Sequence, residues 1–395
     1  MFNVKAKLWI EGRSNLFYDL SQKLKKNQRT IWFHCASLGE FEQGLPVIKA
    51  LQNQFPEKQI LVTFFSPSGF QIAKKQQHTF VISYLPIDVL PQMKRFVYLV
   101  NPEKVFFVKY EFWYNLMFAL HQKSIPFYYI SAIFRENQVF FKSFGKWFTQ
   151  HLHFAKHFFV QDDNSEKLLH KLHISNVTIS GDTRFNRVKE IVQQNNFVDY
   201  IDIFKNQQKV IVFGSTWKED NDLIIEYLHK NNPENLKIVI VPHQIKKSEI
   251  EKLQQQILPF SSLKYSEIIK QKVNENQLKN TNVLIIDSVG LLSKLYSYAT
   301  LAYVGGGFGK EGVHNVLEPA VFGIPIIIAP IFSKFIEAQT LVEKGGITVI
   351  QNSEELATAI AFLSDEKNAI IQGKINKDFI DSYPDTVATI LAKIQ

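Results

Sequence analysis

At 395 residues, with 46% hydrophobic and 21% charged side chains, the chain is long enough for two ordinary domains and too apolar for wholesale disorder. A net charge of +8 favours anionic partners, but the basic residues are scattered in pairs such as Lys25-Lys26, Lys74-Lys75 and Lys246-Lys247. No Arg-rich run, zinc-ligand spacing or RNA-binding aromatic signature accompanies them, which argues against a nucleic-acid binder. The single cysteine, Cys35, excludes an internal disulfide and a multi-cysteine metal site, and its apolar run Ile31–Ala36 reads as a buried strand.

In chain order, Met1–Lys5 has neither the apolar stretch of a signal peptide nor a membrane span. The longest apolar run, Ala320–Phe332, is broken by Gly323, Pro325 and Pro330, so the chain reads as soluble and cytoplasmic. Buried-strand runs follow at Thr30–Cys35, Gln59–Phe65, Val105–Lys109, Phe127–Ile133, His157–Gln161 and Val177–Ser180. Helical spacing lies between them, as at Leu38, Phe41, Leu45, Ile48 and Leu51. The rhythm breaks in the polar stretch Arg187–Gln208 and restarts with strands at Val210–Phe213, Lys237–Val241, Val283–Ile286, Leu301–Val304, Pro325–Ala329 and Ile347–Ile350. Continuous apolar strands spaced by helices imply α/β architecture with parallel sheets covered on both faces. Two doubly wound, Rossmann-like halves are expected, 1–200 and 201–395, facing each other across a cleft at the carboxyl ends of the strands. The last helix is a candidate to pack back on the first half.

Five constellations lie at those strand ends. Ser37-Leu38-Gly39-Glu40 has the form of a capping box. Alternatively, Gly39 lets a substrate approach the backbone and Glu40 serves as general base toward a sugar hydroxyl; a carboxylate committed to its cap is a poor base. Glu111, within Lys109-Tyr110-Glu111-Phe112-Trp113-Tyr114-Asn115, is either a second site carboxylate or a structural partner of Lys109 or Arg135. Gly181-Asp182-Thr183-Arg184 puts a guanidinium where a carboxylate or phosphate would bind, whereas Arg187 reads as a solvated residue opening a linker helix. Gly214-Ser215-Thr216, before a helix near Trp217, is either an anion site or a plain N-cap.

The fifth constellation runs from Gly305 to Pro319. Gly307–Gly312 matches the dinucleotide spacing G-x-G-x-x-G, but no acidic residue stands about 20 positions on, and the next helix is expected near His314. A dehydrogenase is therefore disfavoured. Gly306 and Gly307 instead read as a loop admitting a nucleotide sugar, with Asn315 and Glu318 on one helix face to hold a ribose. Pro242-His243 also lies at a strand end.

The phrases Trp32–Glu40, Glu111–Asn115, Gly181–Phe185 and His314–Pro319, in this order, resemble the signatures of the bacterial 3-deoxy-D-manno-octulosonic acid (Kdo) transferases. The resemblance implies the GT-B fold, with an acceptor domain at 1–200 and a donor domain at 201–395. It implies an inverting, metal-independent glycosyltransferase that needs no cofactor and moves Kdo from the substrate CMP-Kdo to a lipid A precursor in lipopolysaccharide synthesis. Glu40 then matches the general base, and Glu111 and Arg184 match positions that stabilise the transition state. Ser37 and Gly39 fall on the acceptor side. Pro242, His243, Val289, Gly290, Leu291, Asn315, Val316, Leu317 and Glu318 match CMP-binding segments. The sequence departs from the family pattern at His243-Gln244, Leu291 and Val313.

Family members commonly begin with an anchoring helix of about 20 residues. The expectation is a protein at the cytoplasmic face of the inner membrane, either lacking that anchor in this chain or bound peripherally to anionic lipid through Phe134–Trp147. A GT-B enzyme using a UDP-sugar and a non-catalytic lipid- or nucleotide-binding homologue are the alternatives.

Overall fold

The computed structural model describes residues 4–26, 28–75, 78–233, 235–270 and 273–394. They divide into two compact units: Met1–Arg187 with Pro384–Gln395, and Val188–Tyr383.

The first unit holds β1 (Thr30–Cys35), β2 (Gln59–Phe64), β3 (Val81–Tyr84), β4 (Pro102–Val108), β5 (Phe127–Ala132), β6 (His157–Val160) and β7 (Val177–Ile179). All pairings are parallel, in the order β3-β2-β1-β4-β5-β6-β7. The order reverses between β1 and β4, so the connections after these two strands diverge and leave room at their carboxyl ends. β1, β2 and β5 are buried along their whole length, which is why they read as unbroken apolar runs. The abundant phenylalanine is core material. Ring pairs Phe33–Phe106, Phe106–Tyr128 and Phe107–Tyr129 stack at 4.7, 5.3 and 5.2 Å across neighbouring strands. The helix Thr386–Lys393 joins this unit: Ile390 and Ile394 enter its core, and the Thr386 hydroxyl donates to the Ser180 carbonyl at 2.7 Å.

The second unit holds β8 (Lys209–Thr216), β9 (Leu236–Pro242), β10 (Ser262–Lys264), β11 (Val283–Ile285), β12 (Leu301–Val304), β13 (Ile326–Ile328) and β14 (Ile347–Val349). This sheet is also parallel, in the order β10-β11-β9-β8-β12-β13-β14, with its reversal between β8 and β12. Separate apolar cores cover its two faces.

β3 and β10 are absent from the sequence reading. Both are short sheet edges, four and three residues long, and only partly buried. The polar stretch 187–208 is also not a break: it holds most of the helix Thr183–Gln193 and the helix Ile201–Lys205. Of its apolar residues, Val198, Ile201 and Phe204 enter one core of the second unit. Among the described residues no helix is long and apolar enough to cross a membrane.

Candidate active site

In the first unit, the residues after β1 and β4 meet at the reversal point of the sheet. The helix Leu38–Gln54 opens with the expected capping box. The Ser37 backbone N–H donates to Glu40 Oε2 at 3.0 Å, and the Glu40 N–H donates to Ser37 Oγ at 3.4 Å. Capping does not leave Glu40 an ordinary carboxylate. Burial and the nearby charge of Glu111 push its pKa from 4.5 to about 7, against the opposing pull of the Ser37 and Ala36 N–H groups and of Lys109. The cap and the raised proton affinity coexist in one side chain: the cap fixes its orientation while burial sets its proton affinity.

Glu111 meets Trp113 and His34, neither of which the sequence suggested. Its Oε2 accepts from Trp113 Nε1 at 2.8 Å and lies 3.5 Å from His34 Nε2. Lys109 sits at a left-handed φ of 67°, unusual outside glycine, and turns the chain sharply out of β4. Buried Cys35 is held far above an ordinary thiol pKa by desolvation, Glu40 and Glu111, and behaves as core.

Arg184 is tied to the same helix through Asp182. Its Nε donates to Asp182 Oδ2 at 2.7 Å and its N–H to Oδ1 at 2.8 Å, while Gln43 Nε2 donates to that Oδ1 at 2.9 Å. Burial pushes Asp182 up, but Arg184 and these hydrogen bonds outweigh it and hold the carboxyl below its ordinary value. Gly181 at φ 86° makes the turn into this segment. Arg187 is not a solvated residue: it is only partly exposed and its Nε donates to Glu42 Oε2 at 3.0 Å.

In the second unit, β8 runs further than expected, so Gly214, Ser215 and Thr216 are strand residues. Ser215 bulges at φ 54°, and the following helix, Lys218–Asn231, is capped at Trp217 rather than by a hydroxyl. The cap acceptor is Asp220, which the sequence reading passed over. Its Oδ2 accepts from the Trp217 N–H at 2.8 Å and the Gly306 N–H at 2.9 Å, and its Oδ1 from the Tyr303 hydroxyl at 2.7 Å. One buried carboxylate thus joins the ends of β8 and β12. Asp220 stands among other polar residues, Lys218-Glu219-Asp220-Asn221-Asp222, and only its place at the third position of the helix singles it out.

Three rings stack beside this junction. Trp217 lies 4.7 Å from His243, and His243 lies 4.4 Å from His314. Trp217 Nε1 donates to His314 Nε2 at 2.7 Å, which requires that nitrogen to be bare. Burial and the neighbouring His243 depress His314 to about 4, so it is neutral. Pro242 ends β9, and the His243 N–H reaches the Thr216 carbonyl at 2.9 Å. Gly306 adopts φ 94° and Gly307 packs on Ala329, so the loop after β12 has no room for side chains at either position. No helix opens at these glycines. The next one is the single turn Leu317–Ala320, and Asn315 precedes it, donating from Nδ2 to Glu318 Oε1 at 3.1 Å and accepting the Leu317 N–H. The expected helix from His314 is thus replaced by a local Asn315–Glu318 bond. Val289 and Gly290 are exposed and Leu291 half-buried in the loop after β11, two strands from β8.

The aromatic run Phe134–Trp147 divides. Phe134 and Phe140 are core, whereas Phe144 is 72% exposed and Trp147 55% exposed, beside exposed Lys142 and Lys146.

Residues 13–187 match the family model described as 3-deoxy-D-manno-octulosonic-acid transferase (kdotransferase). The chain is 26% identical over 353 residues to the 3-deoxy-D-manno-octulosonic acid transferase of Aquifex aeolicus, covering 88% of this chain and 90% of that one. It is 27% identical over 364 residues to the transferase of the same name from Rickettsia bellii, covering 89% and 83%. Its fold is similar to the crystal structure of a putative UDP-N-acetylglucosamine 2-epimerase from Listeria monocytogenes. The TM-score is 0.60 at 14% identity, over 93% of this chain and 96% of that one. With two parallel seven-stranded units, this is the GT-B architecture. A Kdo transferase domain over 13–187, with similarity to relatives of the same description along most of the chain, marks this protein as a glycosyltransferase similar to the Kdo transferases.

Proposed function

We propose that the chain transfers Kdo from CMP-Kdo to a lipid A precursor with inversion at the anomeric carbon, using no metal or cofactor. The observation that carries this reading is Glu40, buried at the reversal point of the first sheet with a pKa of about 7. Such a group is half ionised at neutral pH and strong enough to take a hydroxyl proton as the bond forms. In the proposed step, an acceptor oxygen attacks the anomeric carbon of Kdo, its proton passes to Glu40, and the bond to the CMP phosphate breaks. Glu111 keeps the affinity of Glu40 for that proton high. Arg184 and Lys109 supply positive charge for the Kdo carboxylate and the departing phosphate. On the donor side, the Trp217–His243–His314 stack offers a flat surface for the base, the narrow Gly306-Gly307 loop admits the phosphate, and Asn315 and Glu318 hold the ribose.

The reaction is tested by CMP release from CMP-Kdo with a tetra-acyl lipid A precursor. Lipid-dependent release supports the proposal. Failure to bind CMP, with binding of a UDP-sugar instead, overturns the donor assignment.

Gly39 tests the acceptor side. It is exposed, and a Cβ there would meet nothing within 4 Å, so the protein itself does not require glycine at this helical position. Gly39→Leu is expected to keep or raise stability by up to about 1 kcal/mol, because glycine is a poor helix former. The KM for the lipid should rise roughly tenfold as the new side chain fills the approach to Glu40. An unchanged KM would remove Gly39 from the acceptor path.

We place the enzyme at the cytoplasmic face of the inner membrane, with Phe144 and Trp147 entering the lipid interface beside Lys142 and Lys146. A Phe144→Asp, Trp147→Asp double variant should bind anionic vesicles at least about tenfold more weakly in a flotation assay. Equal flotation of variant and wild type would refute this surface.

A further inference from the structure

Behind Glu111 lies a buried polar chain that the proposed mechanism does not use. β1 and β2 pair in register so that His34 lies beside Thr63, and both are fully buried. His34 Nδ1 is 2.9 Å from Thr63 Oγ1, and its Nε2 is 3.5 Å from Glu111 Oε2. Thr63 Oγ1 already accepts from Trp32 Nε1 at 2.8 Å. Its single proton has two possible acceptors, His34 Nδ1 at 2.9 Å and the Phe33 carbonyl at 3.3 Å. The shorter and better-filled contact is the one to His34.

We propose that Thr63 and His34 are positioning residues for Glu111: the Thr63 hydroxyl donates to Nδ1, fixes the Nε2–H tautomer, and aims that N–H at Glu111 Oε2. The inference deepens the reading of Glu40 as general base and rests on it. The opposite tautomer would set a nitrogen lone pair against a carboxylate oxygen inside a low-dielectric core. Edge contacts from Phe107 and Trp113, at 6.3 and 5.7 Å, keep the imidazole from turning. Trp113 Nε1 donates to the same Glu111 oxygen at 2.8 Å, whereas His34 Nε2, buried and without a formed hydrogen bond, stands 3.5 Å from it, so the ring adds its orientation to a carboxylate that Trp113 holds and whose charge acts on Glu40. The other titratable groups facing this pair are Lys109 and Tyr110 after β4, Tyr129 on β5 and Cys35 on β1, with Arg135 acting on Tyr110. Only His34 combines a buried ring, a fixed donor on one nitrogen and the Glu111 carboxylate on the other.

Nitrogen-15 NMR of the histidine-labelled full chain, with His34 assigned from a His34→Gln sample, reads the tautomer without reference to activity. The expected result is a proton on Nε2 and none on Nδ1. An Nδ1–H or imidazolium signal overturns the proposal. Thr63→Val should lower kcat roughly tenfold with KM within about twofold, and should move the acidic limb of the pH–kcat profile to lower pH as Glu111 loosens. Thr63→Ser should restore both. A folded Thr63→Val enzyme with wild-type kcat and an unmoved limb would equally overturn it. If Thr63→Val does not fold, the tautomer in wild type and the behaviour of Thr63→Ser still decide. Failure of the base reading shows separately, as retained activity in Glu40→Gln.

Discussion

Glu40→Gln is expected to abolish turnover while making the folded protein more stable at alkaline pH. The loss of rate follows from removing the carboxylate proposed to take the acceptor proton, roughly 10²–10⁴-fold in kcat. The gain in stability follows from linkage. A carboxyl whose folded pKa is raised from 4.5 to about 7 favours folding while protonated, and that contribution is lost as pH rises through 7. Glutamine never ionises, so it keeps the contribution at all pH values and can still accept the Ser37 N–H. Comparing the two proteins by denaturant unfolding should give no difference near pH 4 and an advantage to the variant of roughly 2–3 kcal/mol at pH 8. Equal stability at pH 8 would mean that Glu40 is not strained in its ionised form. Retained turnover would mean that another group takes the proton.

Asp220→Ala should be the most damaging single substitution in the second unit. The carboxylate is buried and receives three donors, from Trp217, Tyr303 and Gly306. Alanine leaves all three without an acceptor in a desolvated place, at a cost of about 3–5 kcal/mol. Asparagine can keep its oxygen toward the two backbone N–H groups and turn its amide toward the Tyr303 oxygen, so Asp220→Asn should cost less than about 1.5 kcal/mol. Trp217, the one tryptophan of the second unit, reports this unfolding directly by fluorescence. The same probe shows whether the donor loops come apart with the carboxylate, because Trp217 bonds to His314 and Asp220 bonds to Gly306. Alanine and asparagine variants of equal stability would show that the three hydrogen bonds contribute little.

Both substitutions concern carboxylates at the third position of a helix that follows the first strand of its sheet: Glu40 after β1 and Asp220 after β8. Each returns its side chain to the backbone that begins its helix. They differ in what lies beyond the cap. Glu40 faces Glu111 and Lys109, whereas Asp220 has every oxygen committed to protein donors. The first is the base of the proposed reaction, and the second holds two strand ends together.

Sequence alone determined the repeating strand–helix rhythm, the parallel sheets and the presence of two units, because buried parallel strands must be continuously apolar and their loops must carry the polar residues. It also placed Ser37, Gly39, Glu40, Glu111 and Arg184 at strand ends. It did not determine β3 or β10, which are only four and three residues long, nor the extension of β8 through Thr216, since a bulged strand end looks like a turn. Only the tertiary structure decided which partner each polar group takes. Glu111 turned to His34 and Trp113, Arg187 to Glu42, and Asn315 to Glu318, because such choices depend on approach across strands rather than on neighbours along the chain. The proton affinity of Glu40 was decided the same way. A capping box is a local pattern that lowers a carboxyl pKa; the burial and the second carboxylate that raise it come from a strand seventy residues away in sequence.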